Sequence, residues 1–203
     1  MIIKQFVAGF LENNMYLILD ETSKKGVLVD ATEFLPEIAE AAKDYDIEYI
    51  LLTHGHFDHI LGIKDLSKNL NAKTVINKDD LIISDNVNEF TGLFNMPEID
   101  VPTFDLYVKD DDEINVGNLK IKVISTPGHT EGGVCYLIDD KLFSGDTLFR
   151  ESVGRTDLFG GNFSKIKDSI KNKLFKLNEK IEVFPGHGPK TTIEHEKKYN
   201  EIV

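Results

Sequence analysis

Leu51-Leu52-Thr53-His54-Gly55-His56-Phe57-Asp58-His59 places three histidines and one aspartate within six positions, directly after an apolar run from Tyr49 to Leu52. The run reads as a buried strand. His54 and His56 lie two apart, so on a loop leaving a strand end both rings can turn towards one point. Asp58 and His59 open a predicted helix over Asp58–Leu70, where the positive end of the helix dipole favours a carboxylate. Imidazole nitrogens and carboxylate oxygens at this density form a ligand set for a borderline divalent ion such as zinc. A run of merely solvated loop residues would not need a ligand-type side chain at all four candidate positions.

On the N-terminal side, Ile2–Val7, Met15–Asp20 and Gly26–Asp30 read as strands, with Asn13-Asn14 as a turn signal between the first two. Phe34–Tyr45 reads as a helix, with Ile38, Ala41, Ala42 and Tyr45 at helical spacing and Pro36 early, where proline is tolerated. On the C-terminal side, Lys73–Asn77 is a further strand. Strands, helix, strand, helix and strand in this order predict a layered α/β domain.

Residues 79–104 break the rhythm. Leu81-Ile82-Ile83 suggests a short helix, but 86–104 mixes Gly92, Pro97 and Pro102 with Phe90, Leu93, Phe94 and Met96. Such an insertion is expected to be irregular, as either a lid over a site or a loop whose apolar residues tuck onto the core. Asp110-Asp111-Asp112-Glu113 reads as a solvated turn. Beyond it, Leu119–Ser125, Val134–Ile138, Lys141–Ser144 and Ile181–Phe184 are predicted strands. Phe163–Leu177 is a predicted amphipathic helix with Ile166, Ile170, Leu174 and Leu177 on one face. Thr191-Thr192-Ile193-Glu194 has capping-box spacing and starts a closing helix.

The chain has 203 residues, 41% of them hydrophobic, which suits a single domain over 1–203. Its net charge of −12 and pI near 4.9 argue against nucleic acid or an anionic membrane as the main partner. One cysteine, Cys135, excludes an internal disulfide and fits a reducing compartment, so a cytoplasmic location is expected. Phe6–Leu11 is too short for a signal peptide, and nothing approaches a membrane span.

His129, Asp146 and His187 each sit just past a predicted strand in a Gly- or Pro-rich loop, and loops at one edge of a layered sheet can converge. With His54, His56, Asp58 and His59 they make seven ligand-type side chains, enough for two metals. His195, on the closing helix, is left out. His54-Gly-His56-Phe-Asp58-His59 followed by His129, Asp146 and His187 resembles the metallo-β-lactamase fold superfamily over essentially the whole length. Gly145-Asp146-Thr147-Leu148-Phe149 and Val153-Gly154-Arg155 resemble its glyoxalase II branch, the hydroxyacylglutathione hydrolases and their small bacterial relatives.

The resemblance implies a four-layer αββα sandwich of two mixed sheets flanked by helices. It implies that His54, His56 and His129 hold one metal, Asp58, His59 and His187 a second, with Asp146 bridging. The expected cofactors are two divalent ions, zinc first, with iron or manganese as alternatives. Asp58 and Asp146 are the expected catalytic carboxylates, Asp58 also orienting the nucleophile. Two such ions lower the pKa of a shared water towards ~7, and the hydroxide would cleave an acyl thioester. The β-lactamases place a cysteine as second-metal ligand where Asp146 stands, which argues against β-lactams as substrates. Diiron flavoproteins of the fold carry glutamate where His56 stands, and the helical C-terminal extension of full-length glyoxalase II is expected to be missing after the His187 loop.

Only Arg150 and Arg155 among 23 basic residues are arginine. Arg155 reads either as the anchor of an anionic small-molecule substrate or as an ion pair with Glu151 or Asp157, and Arg150 as structural. Asp30, at a strand end, is either an outer acceptor for a ligand histidine or a turn residue. The competing functional readings are a mononuclear iron persulfide dioxygenase of the same fold and a non-catalytic metal- or partner-binding protein.

Overall fold

The computed structural model describes residues 1–203, the Leu93 side chain apart. Six strands form the first sheet in the order β1-β2-β3-β4-β5-β6: β1 (Ile2–Ala8), β2 (Asn13–Asp20), β3 (Lys25–Val29), β4 (Asp46–Leu51), β5 (Lys73–Asn77) and β6 (Leu106–Val108). The first three are antiparallel and β3 to β6 are parallel. The second sheet has the order β14-β13-β10-β9-β8-β7. Its strands are β7 (Glu113–Val116), β8 (Leu119–Ser125), β9 (Val134–Ile138), β10 (Lys141–Gly145), β13 (Glu182–Pro185) and β14 (Thr191–Thr192). A small hairpin, β11 (Leu148–Phe149) and β12 (Ser152–Val153), lies between β10 and β13 in sequence.

Side-chain alternation explains the layering. Along β2, Tyr16 and Ile18 face the second sheet, where they meet Val123, Tyr136 and Phe143, while Met15, Leu17 and Leu19 face the helices. Every residue of β2 is therefore buried. In β8, Leu119, Ile121 and Val123 point inward and Lys120 and Lys122 outward. The outer face of the first sheet is covered by α1 (Pro36–Ala42) and α3 (Ile63–Leu70), which contribute Ile38, Ile63 and Leu66. The outer face of the second is covered by α6 (Phe163–Asn172) and α7 (Ile193–Tyr199), with Ile166, Ile170 and Ile193. This is the expected αββα sandwich. No helix is long and apolar enough to cross a membrane.

Three local expectations need correction. The helix predicted over Asp58–Leu70 is broken into a single turn, α2 (Phe57–Ile60), and α3. The turn after β3 causes the break: Ala31 N–H donates to the His59 carbonyl and Gly62 N–H to the Ala31 carbonyl, so the helical ladder is diverted there. One turn carries little macrodipole, so Asp58 owes its charge to nearby histidines. Second, 86–104 is not irregular throughout. Beyond α4 (Leu81–Asp85), α5 (Val87–Leu93) forms, with Val87 buried, and Asn88 both accepts from Ile99 N–H and donates to its carbonyl. Third, the cap of α7 is Thr192, which accepts from His195 N–H, and the Thr191 hydroxyl donates instead to Glu196.

Candidate metal centre

Each residue expected at the site lies at the C-terminal end of a strand. Asp30 follows β3, His54 and His56 follow β4, and Asp58 and His59 sit on α2 just beyond. His129 follows β8, Asp146 follows β10 and His187 follows β13. Strands β8 and β10 both run antiparallel to β9, and β13 is parallel to β10, so these three loops emerge at one end of their sheet. The two sheets present their loops to a common point.

All seven side chains meet there. Possible ligand atoms of His54, His56 and His129 lie within 4.8 Å of one another, as do those of Asp58, His59 and His187, and those of His54, His59 and Asp146. Asp146 sits between the groups, its carboxylate 3.4 Å from His59 Nε2 and 3.5 Å from both His129 Nε2 and His187 Nε2. Asp58 Oδ2 is 3.2 Å from His187 Nε2 and 3.6 Å from His59 Nε2.

Hydrogen bonds on the far side of the rings fix which nitrogen faces the cluster. His59 Nδ1 donates to Asp30 at 2.8 Å, His129 Nδ1 to the Arg155 carbonyl at 2.7 Å, and His187 Nδ1 to the Leu11 carbonyl at 2.9 Å. The Thr53 hydroxyl gives its proton to Asp30, so its oxygen accepts from His54 Nδ1. In all four rings Nε2 is the nitrogen turned towards the cluster. Asp30, held at φ 61°, also accepts from Thr53 N–H and is thus an outer acceptor rather than a simple turn residue. Asn14 completes the frame from the first sheet, donating to the carbonyls of Pro185 and Gly188 on either side of His187.

Electrostatics follow from this crowding. Burial and the neighbouring imidazoles hold His54 well below the ordinary histidine pKa and bring His56 down to about 3. Burial would lower His59 too, but Asp30, Asp58 and Asp146 outweigh it and raise it. Asp58 and Asp146 are pushed up by burial and pulled further down by His59 and His187. His54 Nε2, His59 Nε2 and Asp146 Oδ1 are buried with no hydrogen-bond partner among the described residues. Buried imidazole nitrogens and a carboxylate oxygen converging without hydrogen-bond partners are the donor set a divalent cation takes.

Two features matter for close approach. A side chain at Gly186 would place its Cβ 2.3 Å from Asp146 Oδ1 and 2.8 Å from the His59 ring. At Gly145, φ is 48° and a Cβ would lie 2.4 Å from the Thr53 hydroxyl. Glycine at both positions lets the second sheet's loops close onto His59 and Thr53 of the first sheet's loops.

Sequence reasoning passed over Asp80. Its fully buried carboxylate accepts from Gly55 N–H, the Thr130 hydroxyl and Gly132 N–H, and so ties the His54–His56 loop to the His129 loop. Burial raises its pKa against those three bonds. A signal was available: Asp80 stands three residues past β5, the same strand-end context as the clustered histidines and aspartates. The arginines are surface groups. Arg155 forms a two-pronged pair with Asp157, both contacts 2.8 Å, and Arg150 approaches Glu151 at 3.8 Å. His195 pairs with Glu151, outside the cluster, and Cys135 is buried under α6.

The metallo-beta-lactamase superfamily pattern matches residues 8–187. The chain belongs to that superfamily. Among metallo-beta-lactamase superfamily relatives, the hydroxyacylglutathione hydrolase GloC of Haemophilus influenzae is 31% identical over 200 residues, covering 95% of this chain and 93% of its own. The crystal structure of the BLEG-1 B3 metallo-beta-lactamase superposes with a TM-score of 0.90 at 30% identity, covering 98% of both chains. That of TTHA1623 in a di-iron-bound form gives 0.85 at 31% identity, covering 98% of this chain and all of that one. Superfamily membership and the His/Asp clusters together make this chain a metal-dependent hydrolase in the broad sense.

Proposed function

We propose that the chain is a two-metal hydrolase of small acyl thioesters. The position of Asp146, in contact with histidines of both ligand groups at once, carries the two-metal part of this reading. His54, His56 and His129 would hold one ion, Asp58, His59 and His187 the other, and Asp146 would bridge them. Zinc suits the mixed imidazole and carboxylate donors, and iron or manganese fits the same set. The bound ions would supply an ionised water near neutral pH and positive charge for the developing oxyanion.

The chain's own groups do the rest. Asp30 holds His59 in one tautomer, and Asp80 holds the two histidine loops in register. Asp58, at the edge of the cluster, orients the attacking water and takes part of its hydrogen-bonding load. In the reaction a C–O bond forms from water to the acyl carbon and the C–S bond breaks. The electron pair leaves with sulfur as a thiolate, which needs little protonation to depart because its conjugate thiol has a pKa of about 8.5. Similarity to a hydroxyacylglutathione hydrolase supports the thioester, with glutathione as one carrier to test.

Arg155 is the proposed anchor for a carboxylate on the substrate's carrier. Its present partner is an exposed aspartate, and an exposed pair is worth little, so a substrate carboxylate can displace Asp157. Residues 86–104 are the proposed lid. The Phe90 ring lies 6.0 Å from that of His56, which brings this segment to the edge of the cluster.

The test is turnover of a panel of thioesters, lactones and a β-lactam by protein of measured metal content. Two ions per chain with thioester cleavage is the expected result. Arg155→Ala should raise KM for a carboxylate-bearing thioester and leave kcat nearly unchanged, a loss of roughly 10- to 150-fold in kcat/KM. One iron per chain with oxygen uptake on a persulfide and no thioester turnover would overturn the reading.

A further inference from the structure

Between the β1–β2 turn and α2 lies a cavity of about 430 Å³ that the ligand set does not explain. It borders the metal centre, since Asp58 forms part of its wall and Asn13, also in the wall, pairs through its backbone with His187. Much of the remaining lining is apolar, including Phe57, Leu61, Met96 and Ile99. The charged groups lining it are the carboxylates of Glu33, Asp58 and Asp65, with no lysine or arginine, so an anionic group is repelled there. Two polar side chains in the wall are buried and unsatisfied among the described residues: both amide atoms of Asn13, and the hydroxyl of Thr32. Buried amides are normally bonded. An occupant bringing an uncharged oxygen or amide would supply what they lack.

We propose that this cavity seats the acyl half of the substrate, an uncharged, largely apolar chain of about four to eight carbons. The proposal rests on the thioester-hydrolase reading above and adds to it the class of acyl group. At ~30 Å³ per non-hydrogen atom the space holds about a dozen such atoms, far more than an acetyl group fills. The scissile carbonyl lies at the Asp58 end, the chain runs back towards Leu61 and Ile99, and the carrier with its negative charge stays outside. The Phe94 ring packs at a tilt against Phe10 and Phe57, ring centroids 5.3 Å from each, so the proposed lid segment borders the same space.

Straight-chain acyl thioesters of one thiol, from acetyl to decanoyl, test this on the metal-loaded chain. The expected kcat/KM rises about three- to fourfold per methylene up to hexanoyl and levels off beyond octanoyl. Filling the space with Ile99→Trp, and separately with Leu61→Trp, should bring the hexanoyl-to-acetyl ratio down to about one. Binding is read without turnover by titrating hexanamide into protein carrying labelled methionine methyls. The Met96 methyl should shift saturably, while that of Met15, in the core, should not. Thioesters cleaved at one rate whatever their length, or a Met96 methyl unmoved at the solubility limit of hexanamide, would overturn the cavity assignment and leave the hydrolase reading standing. A saturable Met96 shift with no thioester cleaved in any metal form would overturn the hydrolase reading, and the acyl assignment with it.

Discussion

At the residue scale the site depends on which atoms are allowed near Asp146. Gly186 stands against that carboxylate and against His59, so Gly186→Ala forces a clash between backbone and ligands that no flexible side-chain end can absorb. The expected outcome is loss of one ion per chain, measured by elemental analysis, with overpacking strain of about 1–3 kcal/mol in the metal-free protein. A variant that still loads two ions would show that the loop can retreat. Asp146→Ala should impair both sites, whereas His187→Ala should weaken mainly the second. The four-residue frame of Asp30, Thr53, His54 and His59 shows why strand-end polar residues repay attention: Asp30 uses both oxygens, and no apolar substitute could set two histidine tautomers at once.

Loops joined by buried hydrogen bonds behave as one element. Asp80→Ala would leave Gly55 N–H, Gly132 N–H and the Thr130 hydroxyl without their acceptor. Each unsatisfied group costs about 1–3 kcal/mol, and metal affinity at the His54, His56 and His129 group should fall roughly 10- to 100-fold, as for outer partners of metal ligands generally. A metal titration with a competing chelator checks this, and Asp80→Asn should recover part of the loss by keeping the shape. Further along the second sheet, Lys141 and Lys190 flank Glu182 across β10 and β13 and hold its carboxyl down at about 2. A depressed carboxyl stabilises the fold above its unfolded value near 4.5 and loses that contribution as pH falls towards 2. Because the pair is partly exposed the effect should stay below about 1 kcal/mol. Thermal melts from pH 7 to pH 3 should fall less steeply in Glu182→Gln than in the parent.

Across the whole molecule, each proposed ligand group draws on both sheets: His54 and His56 with His129, and Asp58 and His59 with His187. Saturating metal at about 100 times Kd should add about 2.7 kcal/mol per site, or roughly 5–10 °C in Tm for a chain of this size. Chelation should remove it, and melts with and without chelator check the figure. This arrangement also explains what could be read in advance. The seven side chains that converge here were legible because each is announced locally, by an apolar run and then a histidine or aspartate among glycines or prolines. Asp80 was not, since its partners lie 25, 50 and 52 positions away and its neighbours Lys78 and Asp79 look like surface charge. The break at Leu61-Gly62 was hidden for the same reason, because the Ala31 backbone that diverts the helix is thirty residues upstream. Helix α5 was missed because glycine and two prolines set the tone of a segment whose first half, around the buried Val87, is regular.

The two sheets are also consecutive in sequence: β1 to β6 end at Val108 and β7 begins at Glu113. Four of the seven proposed ligands belong to the first half and three to the second. During refolding neither half can hold a complete set, so metal capture becomes a clock for the moment at which the halves close. Tyr16 and Tyr136 are both buried between the sheets and report that closure by fluorescence. Cobalt absorption should therefore rise with or after the tyrosine signal, and never before it.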